Sequence, residues 1–269
     1  MSYFVNKYPE GTFCWADVSS TEPKKTATFM KKLMNWESEA IDIGHGMVYT
    51  IFKLDGKDVA AVGPAQEESI KAGVPSMWNN YVSVENVDEM TKRAESFGAK
   101  VVVEPMEVFD SGRMSVIADP TGAVVSLWQA KKHIGARVVN TVGAMGWNEL
   151  YTTDKDTSKD FYSKLFGWTY ETDDKNAGYT VIFNNGRMNG GIMAITSEMG
   201  GMPPKWMTYF SIKSADETAK KVEELGGKVW MVKDIGVGKI VMIQDPAGAN
   251  FIAIELSSQA PAEEWMEGY

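Results

Sequence analysis

Asp17 and Glu149 are the two carboxylates whose surroundings could do chemistry. Each lies two residues beyond a tryptophan, Trp15 and Trp147, and 132 positions separate the two pairs. Side chains two apart on a strand share a face, so a strand at either place sets the acid beside an indole. A carboxylate withdrawn among aromatic rings has its pKa raised by desolvation and can act as a general base or acid toward an enolisable or hydroxylated substrate. It can equally hydrogen-bond or ion-pair with a bound amine or hydroxyl, or pair structurally with a nearby Lys, Arg or backbone amide. The residues leave all three readings open.

The spacing belongs to a duplication of the whole chain. Gly11-Thr-Phe-Cys-Trp-Ala-Asp17 returns as Gly143-Ala-Met-Gly-Trp-Asn-Glu149, and Lys-Leu-Met-Asn-Trp36 as Lys-Leu-Phe-Gly-Trp168. The offset then shrinks to 130 for Tyr49/Tyr179, 128 for Trp78/Trp206 and Tyr81/Tyr209, and 126 for Asp119/Asp245 and Gly122/Gly248. A repeat this long exceeds a solenoid unit and suits duplicated domains.

The net charge of -9, with no block of basic residues, argues against nucleic acid and anionic membrane surfaces as partners. No apolar run approaches the roughly 20 residues of a membrane span, and the first residues lack a signal peptide's pattern, so a cytoplasmic location is expected. Cys14 is the only cysteine, which rules out an intrachain disulfide and a cysteine-rich zinc site. A small organic molecule is the expected partner, and pairing of two chains into a homodimer stays open.

Elements that would position the acids follow from punctuation and periodicity. Residues 12–19 read as a strand, Pro23 opens a helix running from about Lys24 to Leu33, and Asp55-Gly56 closes a hairpin between Met47–Lys53 and Val59–Val62. A second unit starts at Trp78–Val84, with a helix from Asn86 to Phe97-Gly98 and strands at 100–103, 114–118 and 123–129. The other half repeats both units from about residues 144 and 206. The expected division is a first domain at 1–130, a linker at 131–142, a second domain at 143–257 and a tail at 258–269. Cys14, adjacent to Trp15, is expected on the opposite face of its strand, as a buried structural thiol.

The βαβββ unit repeated four times, Leu-Phe-Gly-Trp168 after the helix and Asp-Pro-x-Gly before the last strand resemble the vicinal oxygen chelate superfamily, the glyoxalase, bleomycin-resistance and dioxygenase-like proteins, in its tandem two-domain form. The resemblance implies an α+β fold: four βαβββ modules forming two glyoxalase-like domains with curved mixed sheets and an internal pseudo-twofold. It also implies metal ligands at positions that fall here on Trp15, Asn79 and Ser126, and on Trp147, Met207 and Ile252. These residues make a poor donor set for a divalent ion, so no cofactor and no metal are expected.

By the same resemblance a cup in the first half would hold Trp15, Asp17, Tyr49, Asn79, Tyr81, Ser126 and Trp128. Its counterpart would hold Trp147, Glu149, Tyr179, Met207 and Tyr209 with Ile252 and Ile254. The expected function is metal-independent binding of a small, partly aromatic or apolar molecule in a cup, the more polar first one favoured. Asp17 or Glu149 would be the proton-transfer group if the chemistry is that of a lyase or isomerase. The alternatives are a protein that sequesters a drug or metabolite without chemistry, and a structural or interaction protein with filled cups.

Overall fold

The structure, a computed structural model, describes residues 3–175 and 178–257. The predicted tail, 258–269, lies outside them. The first module comprises β2 (Phe13–Ser20), α1 (Pro23–Met34), β3 (Glu37–Asp42), β4 (Val48–Leu54) and β5 (Lys57–Pro64), preceded by the short β1 (Tyr3–Phe4). After the single-turn helix α2 (Glu67–Lys71) the second module follows: β6 (Met77–Ser83), α3 (Val87–Ser96), β7 (Lys100–Val108), β8 (Gly112–Ala118) and β9 (Val124–Ala130). Short β10 (Val138–Val139) leads to the third module: β11 (Met145–Thr152), α4 (Lys155–Phe166), β12 (Thr169–Asp173), β13 (Tyr179–Asn184) and β14 (Arg187–Ala194). The fourth is β15 (Lys205–Ser211), α5 (Ala215–Glu224), β16 (Lys228–Asp234), β17 (Gly238–Gln244) and β18 (Asn250–Leu256).

The helices start where their sequences supply acceptors or a preset backbone. Asn86, Asp154 and Ser214 cap α3, α4 and α5 through their side chains, and Pro23 stands at the first turn of α1. The sequence reading passed over β3 and β12. Both are edge strands rich in acidic and exposed residues, without the apolar alternation that marks a half-buried strand.

Each half is one mixed sheet with the same strand order: β3-β4-β5-β2-β6-β9-β8-β7 in the first, β12-β13-β14-β11-β15-β18-β17-β16 in the second. The central pair is antiparallel, β2 with β6 and β11 with β15, and each member has a parallel neighbour on its other side. One face of both sheets, together with α1, α3, α4 and α5, forms a single apolar core shared by the two halves. Within it α1 lies beside α5, and α3 beside α4.

Residues kept in both repeats tie the halves together reciprocally. Trp36 Nε1 donates to the Gly143 carbonyl at 2.7 Å, and Trp168 Nε1 donates to the Gly11 carbonyl at 2.8 Å. Gly11 and Gly143 both have φ near the left-handed region, +80° and +87°. That backbone turns their carbonyls toward the opposite indole without the penalty a Cβ would carry. At the centre Asn80 Nδ2 donates to Asn148 Oδ1 and Thr208 Oγ1, at 2.6 and 2.9 Å.

Candidate functional site

The other face of each sheet carries an acid at its centre. Asp17 on β2 is opposite Asn79 on β6, and Glu149 on β11 is opposite Met207 on β15. Asp17 Oδ2 accepts from Tyr49 Oη at 2.9 Å and Tyr81 Oη at 3.0 Å, while Oδ1 accepts from Asn79 Nδ2 at 2.8 Å. Glu149 Oε2 accepts from Tyr179 Oη at 2.8 Å, and Oε1 from Tyr209 Oη at 2.8 Å. In both halves an indole completes the chain: Trp15 Nε1 donates to Tyr49 Oη at 3.2 Å, and Trp147 Nε1 to Tyr179 Oη at 3.0 Å. The unit Trp–Tyr–carboxyl–Tyr is thus built twice.

The third donor differs. Asn79 serves Asp17 and also reaches Ser19 Oγ at 3.0 Å. In the second half Met207 replaces that amide, and Tyr151, at the place of Ser19, brings its hydroxyl to Glu149 and to within 3.5 Å of Tyr209 Oη. Burial raises both carboxyls above the usual carboxylate range. Hydrogen bonds from Asn79, Tyr49 and Tyr81 oppose this at Asp17, and those from Tyr209, Tyr179 and Tyr151 at Glu149.

The structure brings together the residues singled out in each half. Trp15, Tyr81 and Trp128 form one buried cluster with half-buried Tyr49 packed on it, and Ser126 lies opposite Tyr81 across β6 and β9. Met207, Tyr209, Ile252 and Ile254 cluster with half-buried Trp147, and Tyr179 reaches them through its bond to Glu149. Sequence reasoning missed Ser19 and Tyr151, although each is two residues beyond its acid and shares its face by strand alternation.

One expectation needs correction. Cys14 does not sit on the opposite face from Trp15: a bulge between Phe13 and Trp15 lets Cys14 pack into the same cluster as the indole, while Phe13 enters the shared core. It is fully buried, and that burial raises its thiol far above the usual range.

What covers the two faces differs more than the acids do. The segment after β9 folds back over the first face: His133 packs edge-on against Trp15 with ring centroids 4.6 Å apart, and Trp128 Nε1 donates to the His133 carbonyl at 2.9 Å. Ala136 N donates to the Cys14 carbonyl at 2.7 Å, and Tyr8 Oη to the Ala136 carbonyl at 2.7 Å. Gly135, at φ +108°, passes so close to Cys14 that a Cβ would meet its carbonyl oxygen at 2.2 Å. Burial lowers the His133 pKa, with Asp58 opposing; its Nε2 lies 3.7 Å from Asp58 Oδ2 and makes no hydrogen bond among the described residues. Packed against the second cluster are Met193 and Met242 from the sheet itself and Ile195, Met199 and Met202 from the segment after β14, all half-buried. A cleft of about 400 Å³ between α1 and the turn after α5 lies apart from both acids.

Among the described residues no group of three or more His, Cys, Asp or Glu side chains could hold a metal ion. The donor set does not suit a divalent cation either, because each face offers one carboxyl already engaged by three side chains.

The profile of the Glyoxalase/Bleomycin resistance protein/Dioxygenase superfamily matches residues 15–127 and again residues 139–252. The chain belongs to this superfamily. A putative glyoxylase, CFP32, of Mycobacterium tuberculosis is 36% identical over 259 residues, covering 94% of this chain and 98% of that protein. The anthracycline biosynthesis protein DnrV of Streptomyces peucetius is 30% identical over 275 residues, covering 96% and 98%. Among solved structures, the Mn(II)-bound glyoxalase from Novosphingobium aromaticivorans aligns with a TM-score of 0.60 at 13% identity, over 99% of this chain and 90% of that one. The 2,3-dioxygenase LapB from Pseudomonas sp. KL28 aligns at 0.62 and 11%, over 94% and 96%. At such identities these two likenesses speak for the fold. Among the described residues no helix is long and apolar enough to cross a membrane.

Proposed function

We propose that this superfamily member binds a small, partly aromatic organic molecule on the second face, around Glu149, without a metal, and that the first face is a structural copy closed by the chain's own linker. The observation that carries this reading is the unequal cover. The same Trp–Tyr–carboxyl–Tyr unit lies beneath residues 133–136 and Tyr8 in the first half, but beneath half-buried methionines in the second. Methionine side chains are unbranched and polarizable, so they repack around a flat ligand at small cost and make favourable sulfur–aromatic contacts. Each sheet would then curl around its acid as a cup, the second opening when its methionines part. The name of the anthracycline biosynthesis relative supports a fused-ring, oxygenated ligand.

Titration with a hydroxylated anthraquinone, followed by tryptophan fluorescence, tests this. Quenching is expected in the parent protein and in Trp15→Phe, and its main component should vanish in Trp147→Phe. Loss in Trp15→Phe instead would transfer the site to the first face, and no quenching in the parent protein would end the reading.

A catalytic version is favoured by the raised pKa of Glu149, which suits a proton-transfer group in a lyase- or isomerase-type reaction. Glu149→Gln should then abolish turnover of an identified ligand while leaving its binding. Equal loss of binding, with no turnover in the parent, leaves a sequestering protein.

A further inference from the structure

Lys205 begins β15 and pairs with Tyr151 across the sheet, two residue pairs along from Glu149 and Met207. Trp206, its neighbour, points into the shared core, so alternation sets Lys205 on the face of Met207 and Tyr209. Its side chain is half-buried, yet among the described residues its ammonium has no hydrogen bond and no ion pair. Every donor around Glu149 is engaged, whereas this one is free. Burial lowers its pKa, and no carboxylate acts on it. The corresponding pair in the first half is Ser19 and Met77, so the lysine and its tyrosine neighbour are additions peculiar to the second half.

A cation held partly out of water without a partner costs free energy that an incoming anion repays. The geometry points to Lys205 as the anion-binding group of this site: we infer that the ligand carries one anionic oxygen group, a carboxylate or an acidic phenol or enol, at the Lys205 and Tyr151 end of an apolar ring system. The inference rests on the second-face reading and adds the polarity of the ligand. The rings would lie over Met207 and Ile252, about 7 Å along the strand from Lys205 at two residues' rise. Glu149, its charge already held by three hydroxyls, would face the less charged end.

The test uses two probes of one shape, 2-naphthoate and the neutral 2-naphthamide, titrated into the full chain with methyl-labelled methionines. Shifts of the Met207 and Met242 methyls report binding at this face. The parent protein is expected to prefer naphthoate by about tenfold, the scale of one hydrogen bond to a charged group. Lys205→Met, which installs the residue of the first half, should erase that preference and leave naphthamide binding within about twofold, while Lys205→Arg should keep most of it. Should the methionine variant fail to fold, Lys205→Gln gives the same readout. Equal binding of both probes by the parent, or a preference surviving in the neutral variant, would overturn the role of Lys205 and leave the site standing. If neither probe moves the second-face methyls, the site reading falls and this inference with it.

Discussion

The two halves present one buried acid each, in matched surroundings, and then diverge in what lies above it. Asp17 is held by two tyrosines and an amide under a lid made of the chain's own linker. Glu149 is held by three tyrosines among half-buried methionines, with a lysine alongside that has no partner among the described residues. The difference teaches that the carboxyl cluster itself is not the functional distinction. Hydrogen-bonding a buried acid is a structural need both halves meet, and the covering segments and the lysine beside Tyr151 set the second half apart.

The largest effect should come from removing the lid's anchor. Gly135→Ala puts a Cβ against the Cys14 carbonyl at positive φ. It should destabilise the protein by about 3 kcal/mol in urea unfolding. If ligand quenching then spreads to Trp15, the lid alone separated the halves. Unchanged stability would show that the linker does not seal the first face.

Next in size is the loss of one donor to each acid. Tyr49→Phe and Tyr179→Phe each leave a buried carboxyl and an indole N–H short of a partner, at about 1–3 kcal/mol apiece. Equal costs by chemical denaturation fit a common structural need. A much smaller cost in the second half would mean that water reaches Glu149.

A finer effect concerns the exchanged donors. Tyr151→Ser should cost about 1 kcal/mol, and adding Met207→Asn should recover much of it by rebuilding the first-half arrangement. A double-mutant cycle measures this coupling, and strict additivity would show that Tyr151 and the residue at 207 do not share the acid.

The pH response should be smallest. Because burial raises the Glu149 pKa, the folded state keeps a proton that the unfolded chain has released. Stability therefore falls as pH rises from the unfolded value, near 4.3, through the folded one, and levels off above both. Glu149→Gln removes that part of the slope, as Asp17→Asn does for its own half. Thermal midpoints of parent and variants between pH 4 and 8 check the sign, and a parent protein that gains stability over the Glu149 window would refute it.

Much of this was legible in the residues. The repeat offsets placed the four modules, and strand alternation set Trp15 with Asp17 and Trp147 with Glu149 on common faces. The same rule, carried two residues further, reaches Ser19 and Tyr151, and carried back from Met207 reaches Lys205. The bulge at Cys14 broke alternation where no Gly or Pro marked it, and the edge strands Glu37–Asp42 and Thr169–Asp173 lacked an apolar signature because both of their faces are largely exposed.

The sequence by itself determined the fold, the doubling and the place of each acid, because these follow from local periodicity and from matched residues at constant spacing. Only the tertiary structure decided which segments cover each acid. The lid over Asp17 depends on pairings such as Ala136 with Cys14 and Tyr8 with Ala136, between residues more than a hundred positions apart. No local pattern encodes such contacts, since their free energy appears only once the sheets have formed and brought the segments together.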